Sequence, residues 1–242
     1  MNERTSTDVQ MILENVRVSY LYAFRPFEGK KDDGSVSKTF CVHPLLDPTD
    51  PQLTKVREAQ RAVAKAAWGE ALVDAPIGPP NANGEVPMGK LPAWQAVLNE
   101  LAAKDKLCLH NGSISKPKEP EVYGGKFFVS ANSSKQPTIF VERGGKNVLI
   151  TDSPGDPLAP YSGCVADVMI SIYAQGPNNK PSKWGRRINA QFMGIKFKKH
   201  AQAFGGGKVA TADEFGVSGE AADAAVPNGV AQFSTGPGSD LV

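Results

Sequence analysis

The chain has 242 residues, a formal net charge of +2, 24 Gly and 19 Pro. That length supports one buried core with appendages, and so much glycine and proline implies many turns, as in β architectures. No apolar run approaches the roughly 20 residues of a membrane span, the polar start MNERTSTDVQ is unlike a signal peptide, and three cysteines make no disulfide framework, so a soluble protein of a reducing cytoplasm is expected.

Residues 1–10 read as a flexible N-terminus. In residues 11–24, Ile12, Val16, Val18, Tyr20, Tyr22 and Phe24 recur with period two, which predicts a strand. The polar segment from Phe27 to Ser37, with Asp33-Gly34, predicts a wide hairpin loop, and Lys38 to Leu46 a second strand. Asp50 is placed to cap a helix and Pro51 to open it. Leu53, Val56, Ala59, Ala64, Ala67 and Trp68 form its apolar stripe, and Gly69 stops it. Four prolines and three glycines make residues 70–90 a long loop. A second helix is expected from Pro92 to Lys104, with Trp94, Val97, Leu98 and Leu101 on one face.

Strands resume at Leu107 to His110, where Asn111-Gly112 signals a hairpin. Residues 115–121 read as an exposed charged loop. Lys126 to Asn132 follows as a strand with Phe127, Val129 and Ala131 inward and Phe128 outward. Gln136 to Glu142 and Asn147 to Thr151 are further strands. In residues 163–174, Cys164, Ala166, Val168, Ile170 and Ile172 face inward, and Asp167, Ser171 and Tyr173 outward. The last strand, Arg186 to Lys199, changes phase. Ile188, Ala190 and Phe192 share one parity, Ile195 and Phe197 the other, and a bulge at Gly194 restores both sets to the core.

Residues 180–200 carry seven bases (Lys180, Lys183, Arg186, Arg187, Lys196, Lys198, Lys199) and no acid, interleaved with Trp184, Phe192 and Phe197. Cations neutralise phosphates and aromatic rings stack on unpaired bases, so this combination points to single-stranded nucleic acid. Residues 205–242 hold one base and five acids, −4, against 26 bases and 20 acids, +6, in the rest. With Gly205-Gly206-Gly207 and no apolar periodicity, they read as a weakly acidic, disordered tail.

Catalytic constellations are missing. The three histidines are scattered, and GxSxG, P-loop and HExxH motifs are absent, so an enzyme is not expected. Cys41, His43, Cys108 and His110 form two Cys-x-His pairs that, side by side, would make a zinc set. Their spacing is not that of a finger or knuckle, and no cofactor or metal is expected.

The blocks Asn111-Gly112, Tyr123 to Ala131, Lys135-Gln136-Pro137, Tyr161-Ser162-Gly163-Cys164, Ile172-Tyr173-Ala174 and Asn189-Ala190-Gln191-Phe192, through Phe204-Gly205-Gly206, follow one another in an order that resembles the bacteriophage single-stranded-DNA-binding proteins and, more distantly, the T7-type helix-destabilising proteins. The resemblance implies a mainly β, oligonucleotide-binding (OB) five-stranded barrel over residues 11–204 with two inserted helices. It implies sequence-independent coating of single-stranded DNA in phage replication, recombination or repair, in the cytoplasm of the bacterial host, with phage or host replication proteins as further partners. Departures are the tail, weakly acidic and ending Ser239-Asp240-Leu241-Val242, and His43-Pro44-Leu45-Leu46-Asp47-Pro48, where relatives tend to carry a Pro-Lys pair. The expected DNA contacts are Tyr123, Lys126, Phe128, Tyr173, Lys183, Trp184, Arg186, Arg187, Lys196 and Lys198. The rival functions are a strand-annealing recombination mediator, which would use the same surface, and a virion structural or assembly protein.

Overall fold

A computed structural model describes residues 8–30, 34–151, 156–177, 182 and 184–204. Strands β1 (Val9–Lys30), β2 (Val36–Leu46), β7 (Ala131–Ser133), β10 (Val165–Gln175) and β11 (Arg187–Lys199) carry the architecture. β1 pairs antiparallel with β2 through its second half and with β10 through its first. β10 pairs antiparallel with β11. The three residues of β7 then join β11, in parallel, to β2, antiparallel, so the ring β1–β2–β7–β11–β10 closes. Closure leaves five strands without a free edge in the ring, which is the OB-like barrel the family resemblance implies. Outside it, β5 (Leu109–Asn111) and β6 (Phe127–Val129) extend β2, while β8 (Thr138–Arg143) and β9 (Lys146–Leu149) extend β11.

The alternating residues fill the barrel as the pattern requires. Val18, Val42, Ala131, Val168, Ile170, Ile172, Ile188, Ala190, Phe192, Ile195 and Phe197 are all in one buried cluster. The register of β11 against β10 slips between Ile170↔Phe192 and Met169↔Gly194, so Met193 is the extra residue and both parities point inward. A side chain at 194 would put its Cβ 2.6 Å from Thr138 Oγ1 on β8.

Helix α1 (Pro51–Trp68) closes over the core. Asp50 accepts the Gln52 N–H at 2.8 Å, and Gly69, at φ +76°, donates its N–H to the Lys65 carbonyl. α2 (Ala93–Ala103) packs beside it through Val97 and Leu101. Two single-turn helices, α3 (Gly112–Ser115) and α4 (Pro120–Tyr123), complete the helical content of the described residues.

Several local expectations give way. Of the flexible N-terminus expected at residues 1–10, Val9 and Gln10 instead belong to β1, where they pair with Ile172 and Ser171, and residues 1–7 lie outside the described residues. The loop of residues 70–90 contains a hairpin, β3 (Leu72–Pro76) with β4 (Met88–Pro92), whose prolines sit at strand ends where no ladder donor is needed. Asn111-Gly112 is no hairpin turn. The Asn111 side chain caps α3 by accepting the Ser113 N–H. A Cβ at Gly112 would collide with the Tyr123 carbonyl, so this close approach needs glycine. The charged segment 115–121 is not wholly an exposed loop, because it leads into α4, which buries Val122 and Tyr123. Ser171, expected outward, is fully buried. The disordered tail expected at 205–242 lies outside the described residues.

Candidate nucleic-acid interface

Away from the main core, β1, β2, β6 and β5 present a continuous set of rings. On β1, Tyr22 lies edge-on to Tyr20 (centroids 5.2 Å apart) and to Phe27 (5.4 Å). Tyr20 stacks on His43 of β2 at 5.0 Å. His43 meets Phe128 of β6 at 4.8 Å, and Phe128 stacks on His110 of β5 at 5.0 Å. Tyr123 of α4 closes the group, 5.0 Å from Phe128 and 5.9 Å from His43.

The group has a buried floor and an open rim. His43, Tyr123 and Phe128 are buried, Tyr20, Tyr22 and His110 are half-buried, and Phe27 is 39% exposed. The floor is locked by the Tyr123 hydroxyl, which lies 2.8 Å from His43 Nδ1 and 3.2 Å from Ser19 Oγ. Burial pushes the Tyr123 hydroxyl up to about 12 and pushes His43 down to about 3, the latter helped by Lys116 and His110. Both groups are therefore neutral at physiological pH. Over the rim, the Lys116 ammonium lies 5.5 Å from the Tyr20 ring and 5.7 Å from that of Tyr123, so the α3–α4 cap brings a cation to the aromatic surface.

Tyr20 reaches the rim by an irregular backbone. Val18, Leu21 and Ala23 pack on the core, while Ser19, Tyr20 and Tyr22 face the ring cluster. That sequence of faces breaks the alternation. The register with β2 slips between Ser19 and Tyr22, and Tyr20 takes φ +50°, a left-handed conformation rare for a bulky residue.

The ten expected contact residues fall into two groups. Phe128 does point away from the main core, but it is 3% exposed, because α4 and the histidines cover it. Tyr123 is buried beside it, and Lys126 is ion-paired with Asp47. The first two thus support the aromatic surface and do not offer free faces of their own. The second group lies across β1, on β10, β11 and the loop before it. Tyr173 is half-buried, and Trp184, Arg186 and Arg187 are exposed. Lys196 is 3.1 Å from Glu142 and Lys198 3.6 Å from Asp167. The basic stretch without an acid in sequence is thus partly neutralised by carboxylates from β8 and β10. Lys183 lies outside the described residues.

Tyr20, Tyr22, Phe27, His43, His110 and Lys116 were absent from the expected contacts. Tyr20-x-Tyr22 was visible as alternation, yet period two alone does not say whether the face it defines is core or platform. The zinc alternative fails on geometry. Cys108 lies in the main core, where its Sγ accepts from Gln60 at 3.3 Å, whereas His110 turns to the opposite face and bonds Asp105. Among the described residues, no three His, Cys, Asp or Glu side chains are grouped as metal ligands.

An OB-like barrel with an aromatic surface bordered by cations defines a nucleic-acid-binding class of protein. The comparisons with known proteins agree. The chain belongs to the family described as Enterobacter phage Enc34, ssDNA-binding protein, which it matches over residues 9–226. It shares its fold with the single-stranded DNA-binding protein from bacteriophage Enc34 solved in complex with ssDNA, at TM-score 0.53 and 19% identity over 84% of this chain and 96% of that one. A second structure of that protein gives TM-score 0.51 and 18% identity over 88% and 96%. Protein p50 of Acyrthosiphon pisum secondary endosymbiont phage 1 is 28% identical over 111 residues, 46% of this chain and 52% of that one. The alignment thus spans about half the length of this curated relative.

Proposed function

We propose that the chain coats single-stranded DNA without sequence preference during phage replication, recombination or repair in the bacterial host, and that it is a binding protein and not an enzyme. The observation that carries this reading is the seven-ring surface on β1, β2, β6, β5 and α4, in a chain of a single-stranded-DNA-binding family. Every base has a π-face, so stacking on Tyr20, Tyr22 and Phe27 tolerates any sequence and contributes about 1–3 kcal/mol per base. Duplex DNA keeps its bases stacked on one another and offers the rings nothing. Lys116, 3.6 Å from Glu119, neutralises phosphate beside the rings once that carboxylate is displaced, and Arg187, with Lys196 and Lys198 released from theirs in the same way, extends the cationic track. The test is fluorescence anisotropy with oligo(dT), a mixed-sequence single strand and the matching duplex. Similar affinity for the two single strands and much weaker affinity for the duplex is expected. Equal binding to duplex, or loss of neither single strand on Tyr20→Ala/Tyr22→Ala, overturns the reading.

A further inference from the structure

Away from the rings and from β11, cations gather on the solvent face of α1. That face carries Lys55, Arg57, Arg61 and Lys65 against a single acid, Glu58, a balance of +3. Lys65 is ion-paired with Glu70, as Lys38, Lys90 and Lys104 are with acids of their own. Among the described residues, no ion pair engages Lys55, Arg57 or Arg61. Arg57 and Arg61 stand one turn apart on the same side of the helix. Like charges at that spacing repel, so an anion that bridges them is favoured. A guanidinium is also the side chain best shaped to hold a phosphate.

The pair adjoins the ring surface across one strand. The Arg57 guanidinium lies 5.3 Å from the centre of the Phe127 ring. Phe127 and Phe128 are neighbours on β6, and adjacent residues of a strand point to opposite faces. Phe128 therefore joins the rings, while Phe127 packs on the main core beneath Arg57. In the described sheet β5 is the end strand, three residues long, and His110 at the rim of the rings belongs to it. We propose that Arg57 and Arg61 form a second phosphate-binding track, onto which a single strand of DNA passes from the ring surface around the free edge of β5. The track extends the site of the proposed function and rests on that reading. It also selects the ligand. A single strand bends sharply enough to round a sheet edge, whereas duplex DNA, with a persistence length of about 50 nm, does not.

The test compares oligo(dT) of about 6 and about 20 nucleotides, the shorter filling the rings and the longer reaching α1, with DNA in excess so that each strand holds one protein. Arg57→Ala/Arg61→Ala is expected to weaken the longer oligonucleotide about fivefold or more and to make its slope of log affinity against log salt shallower by about 1.4, from about −0.7 per phosphate. Affinity for the shorter one and the thermal midpoint are expected to stay unchanged. Arg57→Lys/Arg61→Lys keeps both charges and should restore most of the loss. Glu58→Gln removes the one acid of the stripe and should tighten the longer oligonucleotide alone. Unchanged binding of both lengths in the double alanine variant would make the stripe a solvated helix face and overturn the track. Equal loss on both lengths would also overturn it, since the arginines would then be supporting the rings. Either result leaves the coating reading standing, whereas a parent chain that binds neither oligonucleotide would remove both.

Discussion

The imidazole of His43 lies against the ring of Tyr20, centroids 5.0 Å apart and planes 19° from parallel, and the tyrosine holds a left-handed backbone to make that contact. A bulky residue in that region costs on the order of 1–3 kcal/mol, and an aromatic pair returns about 0.5–1.5 kcal/mol. Tyr20 also meets the rings of Tyr22 and Phe27 and the Lys116 ammonium, so the cluster as a whole offsets the strain.

Replacing Tyr20 therefore separates binding from stability. Tyr20→Gly removes the ring and the backbone strain together, so the thermal midpoint is expected to change by no more than a few degrees. Affinity for oligo(dT) is expected to fall about 5- to 150-fold, the equivalent of about 1–3 kcal/mol for one lost stacking platform. Unchanged affinity would remove Tyr20 from the interface.

The buried imidazole predicts an acid-sensitive fold. His43 is held neutral down to about pH 3, whereas an unfolded histidine takes up its proton near 6.5. Between those values the unfolded chain binds a proton that the folded chain refuses. Its contribution to stability is intact above pH 6.5 and declines as the pH falls, by up to about 1.4 kcal/mol per pH unit. Urea unfolding at pH 7.5, 6.0 and 5.0 measures the decline, and His43→Phe is expected to flatten it.

Salt dependence separates the cations on β11. With about four phosphates engaged, the slope of log affinity against log salt is expected near −3, from about −0.7 per phosphate. Arg187→Ala should make that slope shallower by about 0.7. Lys198→Ala should change it less, because Asp167 already holds its ammonium at 3.6 Å. Equal effects from the two variants would show that the Asp167 pair opens freely in the complex.

The phase change in β11 is open to a stability test. Phe192 is fully buried in the barrel, and Phe192→Ala should cost about 3–5 kcal/mol. Gly194→Ala drives a methyl onto Thr138 and should cost about 1–3 kcal/mol. Chemical denaturation of both variants checks the values, and a neutral Gly194→Ala would mean that β8 yields at Thr138.

Local chemistry determined much of this protein from sequence alone. Asp50, Pro51 and Gly69 set the ends of α1 because capping and backbone freedom act over a few residues. Parity in β10 and β11, with Gly194 at the break, placed the barrel-filling side chains because a strand has only two faces. What parity cannot say is what covers the second face. Phe128 points away from the core as the alternation requires, yet it is buried because α4, some five residues earlier in the chain, folds over it with Tyr123. The acids that meet Lys196 and Lys198 come from Glu142 and Asp167, 54 and 31 positions away, and the barrel closes through three residues of β7 that no periodicity marks. The aromatic interface joins residues from 20 to 128 across four strands and a single-turn helix, so only strand pairing in three dimensions brings its rings together.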